Sequence, residues 1–299
     1  MKRKLLTAAL LAGLLSYSLA PAVQAEPIAT QLTADVMDYD IETGDFSASG
    51  NVKITREQLT LTSQKGTANS NTMKARVTGD VHAFGVHEGS PLDAKCDVFE
   101  TDFSAPDGDY AMSGNVNASF GTRILRSDTA HLVGKKFGAE KVTHFEDTAQ
   151  NVVLSCDTLV GDYDDLGIAN ATGTGKVHAI QKDEEKTSNL WCEKLVYSRA
   201  ADTVTATGSS KMHVIQKNAS VKETTITSDK LVYSVSGDTV TATGNTRAVQ
   251  DGRNIVAKTI IYHPDTGKVE AHGTPKITVD LAADKRQKQK SKGSRKRSK

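Results

Sequence analysis

Three histidines recur at equivalent places along the chain, and recurring histidines are the first candidates for a metal site. His82, His178 and His213 each stand in the middle of a short apolar–polar–apolar segment, written VHA, VHA and MHV. A metal site would require their imidazoles to converge within a few ångströms. In the other copies of the segment the middle place holds other polar residues: Lys53, Asn117, Arg247 and Lys276. A solvated polar row explains this pattern better than a ligand set, so no metal site is predicted.

The three cysteines also occupy equivalent places. Cys96, Cys156 and Cys192 each open a small–acidic pair, and in the other copies that pair opens with alanine or serine. A buried thiol behaves as a small hydrophobic side chain, so we interpret the cysteines as core residues. Their spacing matches no zinc pattern, and the odd number leaves at least one thiol unpaired within the chain. A Cys156–Cys192 disulfide would require Cα atoms within about 7 Å, and the sequence leaves that pairing open.

The acidic residues do not form a recognisable catalytic pair. They gather in turn-like stretches such as DYDD at 162–165 and DEE at 183–185. No two carboxylates stand out as an acid and base couple, and the sequence contains neither a nucleophile elbow nor a phosphate-binding loop. We therefore predict that the protein is not an enzyme, has no catalytic residue and needs no cofactor.

The N-terminal 25 residues have the pattern of a signal peptide. Lys2, Arg3 and Lys4 precede an apolar stretch over residues 5–19, and small residues lead to a cleavage position after Ala25. The apolar stretch of about 15 residues is shorter than the roughly 20 that span a bilayer. We therefore expect residues 1–25 to be removed on export, the alternative being an uncleaved membrane anchor.

The charge is divided between an acidic body and a basic tail. Of the 37 basic residues, the leader holds three and residues 285–299 hold nine, and neither segment holds any of the 36 acidic residues. Residues 26–284 therefore carry 25 basic and 36 acidic residues, a net charge of −11. A run of like charges repels itself, so residues 285–299 are predicted to be disordered. The tail either aids solubility or is attracted to anionic lipid head groups, and its lack of aromatic stacking partners argues against nucleic acid.

One pattern fills the body of the chain and repeats eight times. Each unit of about 32 residues combines the small–acidic pair, a β-branched segment, a turn with glycine beside Asp, Thr or Ser, and a segment broken by glycine. Val, Thr, Tyr and Ile dominate these segments, and no helical apolar stripe follows the leader. The sequence therefore predicts an all-β fold, an elongated stack of about 16 antiparallel strands forming a single domain over residues 26–284.

A glycine interrupts most units and is predicted to bend the strand as a bulge or kink. The glycines in this place are Gly50, Gly79, Gly114, Gly175, Gly244 and Gly273. The fourth unit has Glu140 where the glycine is expected, so we predict a straighter or looped-out strand there.

Beyond each glycine, apolar and polar residues alternate, so that the apolar ones share one face. That face comprises Val52, Ile54, Val81, Ala83, Val116, Ala118, Phe120, Val177, Ala179, Met212, Val214, Ala248, Ile277 and Val279. Small residues are frequent on it, which favours a lengthwise channel between two sheets. The alternative is that Leu, Ile and Tyr of the other segments fill the gap and leave a packed core.

Three long stretches of the body resemble the OstA-like family. They read LTADVMDYDIETGDFSASGNVKI, SDKLVYSVSGDTVTATGNTRAV and AKTIIYHPDTGKVEAHGTPKITV, and the resemblance extends over residues 28–280. It implies a twisted β-jelly roll, open at both ends, in the periplasm. It further implies an apolar groove, formed by the alternating face, that shields the acyl chains of lipopolysaccharide. The implied partners are an inner-membrane lipopolysaccharide extraction complex and an outer-membrane translocon.

The first and last strands are expected to expose unpaired edges that dock with partner sheets or with further copies of the chain. The candidate edge residues are Leu32, Asp35, Tyr39, Val269, Pro275 and Val279. Proline suits an edge strand because it donates no backbone hydrogen bond. Two other functions stay open: a structural β-repeat protein with a packed core, and a membrane-anchored relative of the same transport system.

Overall fold

The computed structural model describes residues 30–279, apart from 57, 88, 103, 105–108, 165–166 and 219–220. The predicted signal peptide and basic tail lie outside the described residues. The chain forms two compact units, Met1–Gly173 and Thr174–Lys299. We refer to them as unit 1 and unit 2.

Strands account for most of the described residues, and no helix occurs among them. The eighteen strands are β1 Thr30–Thr33, β2 Val36–Tyr39, β3 Asp45–Arg56, β4 Leu59–Asn69, β5 Lys74–His87, β6 Ser90–Asp102, β7 Asp109–Phe120, β8 Arg123–Val133, β9 Lys136–Asp147, β10 Val152–Asp164, β11 Gly167–Lys182, β12 Lys186–Ser198, β13 Thr203–Gln216, β14 Thr224–Ser234, β15 Thr239–Gln250, β16 Arg253–His263, β17 Lys268–His272 and β18 Lys276–Val279. A search of the same residues finds no helix with the length and apolar character needed to cross a membrane.

Long strands follow one another as antiparallel neighbours, so the predicted all-β antiparallel class is confirmed. The count exceeds the expected 16 because the first and last long strands are each split in two. β1 and β2 both pair with β3, and β17 and β18 both pair with β16. Each split falls at a repeat break, namely at Ala34-Asp35 and at Gly273–Pro275.

The predicted glycine bulges are present. At Gly50, Gly114 and Gly244 an acidic side chain lies over the glycine, whereas Gln64 and Lys258 take that place over Gly79 and Gly273. Gly50 and Asn51 both have positive φ, at 72° and 48°, and the register of β3 against β4 shifts across them. The side-chain amide of Asn51 donates to Asp35 Oδ2 at 3.0 Å. A Cβ on Gly50 would lie 2.2 Å from the same oxygen. The small–acidic pair of the sequence therefore fits over the glycine of the next strand.

The expectation of a straighter or looped-out strand in the fourth sequence repeat is wrong. Lys141, which follows Glu140, has a φ of 50°, and the register of β8 against β9 shifts between Arg126 and Thr129. Lys141 forms an ion pair with Asp128, the acidic residue of the small–acidic pair in that repeat. The bulge persists without glycine because the neighbouring lysine takes up the left-handed conformation and the acidic residue still binds it.

These aligned bulges divide the strands into two sets, which we call half-sheets A and B. In unit 1, half-sheet A includes residues 45–49, 65–69, 74–78, 98–102, 109–113 and 129–133, and half-sheet B includes 52–56, 59–63, 81–87, 90–96, 116–120 and 123–127. In unit 2, half-sheet A includes 194–198, 203–207, 230–234, 239–243, 259–263 and 268–272, and half-sheet B includes 186–191, 211–216, 224–227, 246–250, 253–257 and 276–279.

Candidate functional site

In unit 1 the predicted groove residues lie on the inward face of half-sheet B. Val52, Val81 and Val116 are almost completely buried, and each is paired with a small residue of the neighbouring strand. The other predicted positions in this unit follow at the alternate places: Ala83, Ala118 and Phe120 are buried, and Ile54 is half-buried. The alternation of the sequence therefore does produce one continuous apolar face in this unit.

Unit 2 repeats the arrangement on its own half-sheet B. Val177, Val214 and Ala248 are at most 1% exposed, and Ala179 and Met212 are half-buried. Ile277 and Val279 are exposed, at 62% and 49%, because they belong to the short last strand β18. The face is thus buried in the middle of the unit and accessible at its edge strand.

Half-sheet A supplies the opposite wall, which the sequence reasoning did not include in the candidate site. Its buried residues in unit 1 include Val77, Phe99, Tyr110, Met112, Ala130 and Leu132. Those in unit 2 include Ala206, Leu231, Val240, Ala242, Ile260 and Tyr262. The sequence could have indicated this wall, because the KLVYS and TVTATG segments also place every second residue on one face of a strand.

Among the described residues, the middle of the inward face carries neutral groups. Cys96 and Cys192 are buried thiols, and burial raises the pKa of both to about 11. Cys192 is a free thiol, so the disulfide considered with Cys156 does not form. A buried Asp147 near one strand end is the exception in unit 1, and Arg123 neutralises it at 3.3 Å. The interior is therefore suited to apolar contents.

The three recurring histidines project from the other face of their strands and have separate partners. His82 lies 2.9 Å from Asp93, His213 contacts Glu223, and His178 stacks on Trp191 with ring centroids 4.8 Å apart. No group of three or more His, Cys, Asp or Glu in the described part of the chain is arranged to hold a metal ion.

Unit 1 also has a cleft of about 850 Å³ on half-sheet A. Exposed ion pairs cross it, including Lys74 with Asp102 at 3.3 Å and Arg76 with Glu100. His131 and Val133 on the outward face of β8 line it, and so does the buried Tyr110 of the inward wall. None of the predicted groove residues line this cleft.

The candidate edge residues lie where the sequence placed them. Leu32 belongs to β1, Tyr39 belongs to β2, and Asp35 joins the two strands, its amide donating to the Gly50 carbonyl at 2.8 Å. At the other end Val269 lies in β17, Val279 in β18, and Pro275 directly precedes β18. All four residues of β2 and all four of β18 are exposed. Each short strand thus presents apolar side chains to solvent.

These features define a class of protein: an antiparallel β-repeat protein with an apolar interior between bent strands and short, exposed terminal strands. A family model described as LptA/(LptD N-terminal domain) LPS transport protein matches residues 95–268. The match covers more than half of the chain, so the protein belongs to this family of lipopolysaccharide transport proteins. The predicted membership of the OstA-like lipopolysaccharide-transport family is thereby confirmed.

Comparisons with solved structures and with curated proteins gave two further results. Among solved structures the chain is similar to LptH of Pseudomonas aeruginosa, described as the LptA homologous periplasmic component of a lipopolysaccharide transport device. The identity is 17%, the TM-score is 0.37, and the alignment covers 44% of this chain and 96% of LptH. No curated protein matches the chain.

Proposed function

We propose that the protein carries lipopolysaccharide across the periplasm, with the acyl chains of the lipid held between half-sheets A and B. The observation that carries the proposal is the continuous inward face of Val, Ala, Ile, Leu and Phe residues in a chain of the lipopolysaccharide-transport family. Burial of acyl chains contributes about 0.8 kcal/mol per methylene. An apolar slot therefore binds such a lipid without any catalytic group.

Lipid entry requires the two half-sheets to separate. The inward residues are packed closely enough that Val214 and Ile260 have no exposed surface. Around these residues the lipid must therefore replace contacts between the walls with contacts to itself. Small side chains such as Ala83, Ala118 and Ala248 bury little apolar area, so this exchange costs little free energy at their positions.

The exposed terminal strands are the proposed docking elements. We assign β2 and β18 to strand-to-strand contacts with an inner-membrane extraction complex, an outer-membrane translocon, or another copy of the chain. Their exposed apolar residues, such as Val36, Met37 and Ile277, would be covered in such a contact. The signal peptide predicted for residues 1–25 accounts for export to the periplasm.

Photo-crosslinking in cells tests the lipid contact. A photoreactive residue at Val116, which faces inward, should form an adduct with lipopolysaccharide, and one at the adjacent Asn117, which faces outward, should not. A structural stack with a packed core would give no lipid adduct at either position. Val177→Asp places a charge on the inward face and should abolish transport while leaving export measurable. Transport at the normal level in that variant would contradict the proposal.

A further inference from the structure

Three hydrogen bonds in unit 2 connect half-sheet B to turns of half-sheet A. Lys186 Nζ donates to Asp238 Oδ2 at 2.9 Å, in the turn between β14 and β15. Gln216 Nε2 donates to the carbonyl of Pro264 at 2.7 Å, and Gln250 Nε2 donates to the carbonyl of Gly267 at 2.7 Å. Both acceptor carbonyls belong to the turn between β16 and β17.

The donors lie at the far end of the strands from these turns. Lys186 pairs with Gln216 at one end of the β12–β13 ladder, whereas the turn that holds Asp238 follows Ser234, level with the other end of β13. A straight strand of the 13 residues in β12 would separate those ends by roughly 40 Å. A bond of 2.9 Å is possible only because the strands bend back at the bulges. The three bonds therefore close the open side of the folded sheet.

The donors are placed for this contact by the alternation of their strands. Gln216 follows Val214 by two residues, and Gln250 follows Ala248 by two, so both share the inward face at its outer margin. Lys186 retains only 13% of its side-chain exposure and Asp238 retains 26%. Tyr233 donates a second bond to Asp238 at 2.9 Å, so the carboxylate is held from two sides.

Charge reinforces the contact. Burial acts to lower the pKa of Lys186 and to raise that of Asp238, but the contacts of each side chain outweigh it. The hydrogen bond to Asp238 raises the pKa of Lys186. Bonds from Asp265, Lys186 and Tyr233 lower the pKa of Asp238. Each partner is thus held in its charged form. A partly buried ion pair of this kind contributes more than an exposed one, and loss of one partner leaves the other charge unpaired.

We propose that Lys186, Gln216 and Gln250 form a polar latch that controls side access to the interior of unit 2. With the latch closed, the inward face around Val214 is sealed from solvent. Release of the three bonds lets the half-sheets part along the side opposite the bulges. The latch extends the proposed lipid-carrying function, but its opening is a property of the chain alone and is measurable without lipid.

The test measures thiol labelling at two inward positions in a background in which the native cysteines are replaced by serine. Val214→Cys reports on the latched side of unit 2, and Ala118→Cys reports on the interior of unit 1. The latch is removed by Lys186→Met, Gln216→Leu and Gln250→Leu together. Lys194→Met is the matched control, because Lys194 lies on the same strand but is exposed.

Removal of the latch should raise the maleimide labelling rate at position 214 by about tenfold or more, equivalent to roughly 1.4 kcal/mol in the opening equilibrium. The rate at position 118 should not change, and the Lys194→Met control should leave both rates unchanged. An unaltered rate at position 214 would overturn the latch. A parallel rise at both positions would also overturn it, because that result indicates general loosening of the chain. If the rate at position 214 rises as expected but the residue at Val116 gives no lipopolysaccharide adduct, the lipid contact alone is refuted and the latch stands.

Discussion

At the residue scale, one small structural unit explains most of the repeated sequence. In several repeats the acidic residue of the small–acidic pair lies over the bulge glycine of the following strand, as Asp97 does over Gly114 and Asp229 over Gly244. In these two repeats the asparagine after the glycine binds the same carboxylate, at 3.0 Å from Asn115 and 2.9 Å from Asn245. The small residue of the pair faces the interior, where Ser63, Cys96 and Ser228 are buried. These acidic residues therefore help to bend the strands.

The first prediction concerns the glycine of this unit. Gly114→Ala should destabilise the protein by about 1–2 kcal/mol for the left-handed backbone and by roughly 1–2 kcal/mol more for the displaced Asp97 carboxylate. The reason is that the new Cβ would lie 2.2 Å from Asp97 Oδ2. Gly134→Ala is the control, since Gly134 also has positive φ but open space around the position of a Cβ. Urea unfolding should show the larger loss for Gly114→Ala, and equal losses would contradict the role of the carboxylate.

The second prediction concerns pH and the buried thiols. Burial raises the pKa of Cys96 and Cys192 from 9.0 to about 11. The unfolded chain therefore loses these protons at lower pH than the folded chain, so their contribution is complete below pH 9 and is lost as the pH rises toward about 11. Urea midpoints measured from pH 8 to 11 should fall less steeply for Cys96→Ala than for the parent chain. Identical slopes would show that the thiol does not titrate differently on folding.

At the element scale, the short terminal strands differ most from the rest. β18 pairs with β16 through four residues, all of them exposed, and Ile277 is 62% exposed. β2 presents Val36, Met37 and Tyr39 in the same way. An exposed strand edge with apolar side chains is a template for pairing with another sheet. These elements are the ones whose surroundings must change when a partner binds.

The third prediction follows for β18. Ile277→Lys should weaken self-association, because a charged side chain at an edge opposes pairing with a second sheet. Stability should change by less than about 0.5 kcal/mol, since the side chain is exposed. Sedimentation velocity at increasing protein concentration measures the first effect, and Lys230→Met, at an exposed position of β14, is a control variant. Self-association as strong as that of the parent chain would remove β18 from the docking surface.

Several elements could be predicted from the sequence for a clear physical reason. Period-two alternation placed Val52, Val116 and Val214 inward, and glycine at the repeat break located the bulges. The bulge of the fourth sequence repeat could not be predicted, because a lysine in the left-handed conformation has no distinctive sequence pattern. The split of the terminal strands and the contacts of Lys186 were also not predictable. They depend on how far the strands bend, and sequence periodicity does not report that angle.

At the scale of the whole molecule, each unit is an apolar interior enclosed by two half-sheets of the same strands. Among the described residues of unit 1, the buried side chains are neutral apart from Asp147, which pairs with Arg123. Within unit 2 the latch closes the open side. Membership of the lipopolysaccharide-transport family gives this architecture its proposed cargo. The central claim is that the interior, rather than the outer face, contacts the lipid.

A crosslinking scan along β13 tests that claim most directly. Photoreactive residues at consecutive positions 211–216 should give lipopolysaccharide adducts at Met212 and Val214, which face inward, and none at Lys211 and His213, which face outward. The account therefore predicts a yield that alternates with a period of two residues. A uniform yield along the strand, or adducts confined to the outward positions, would contradict it.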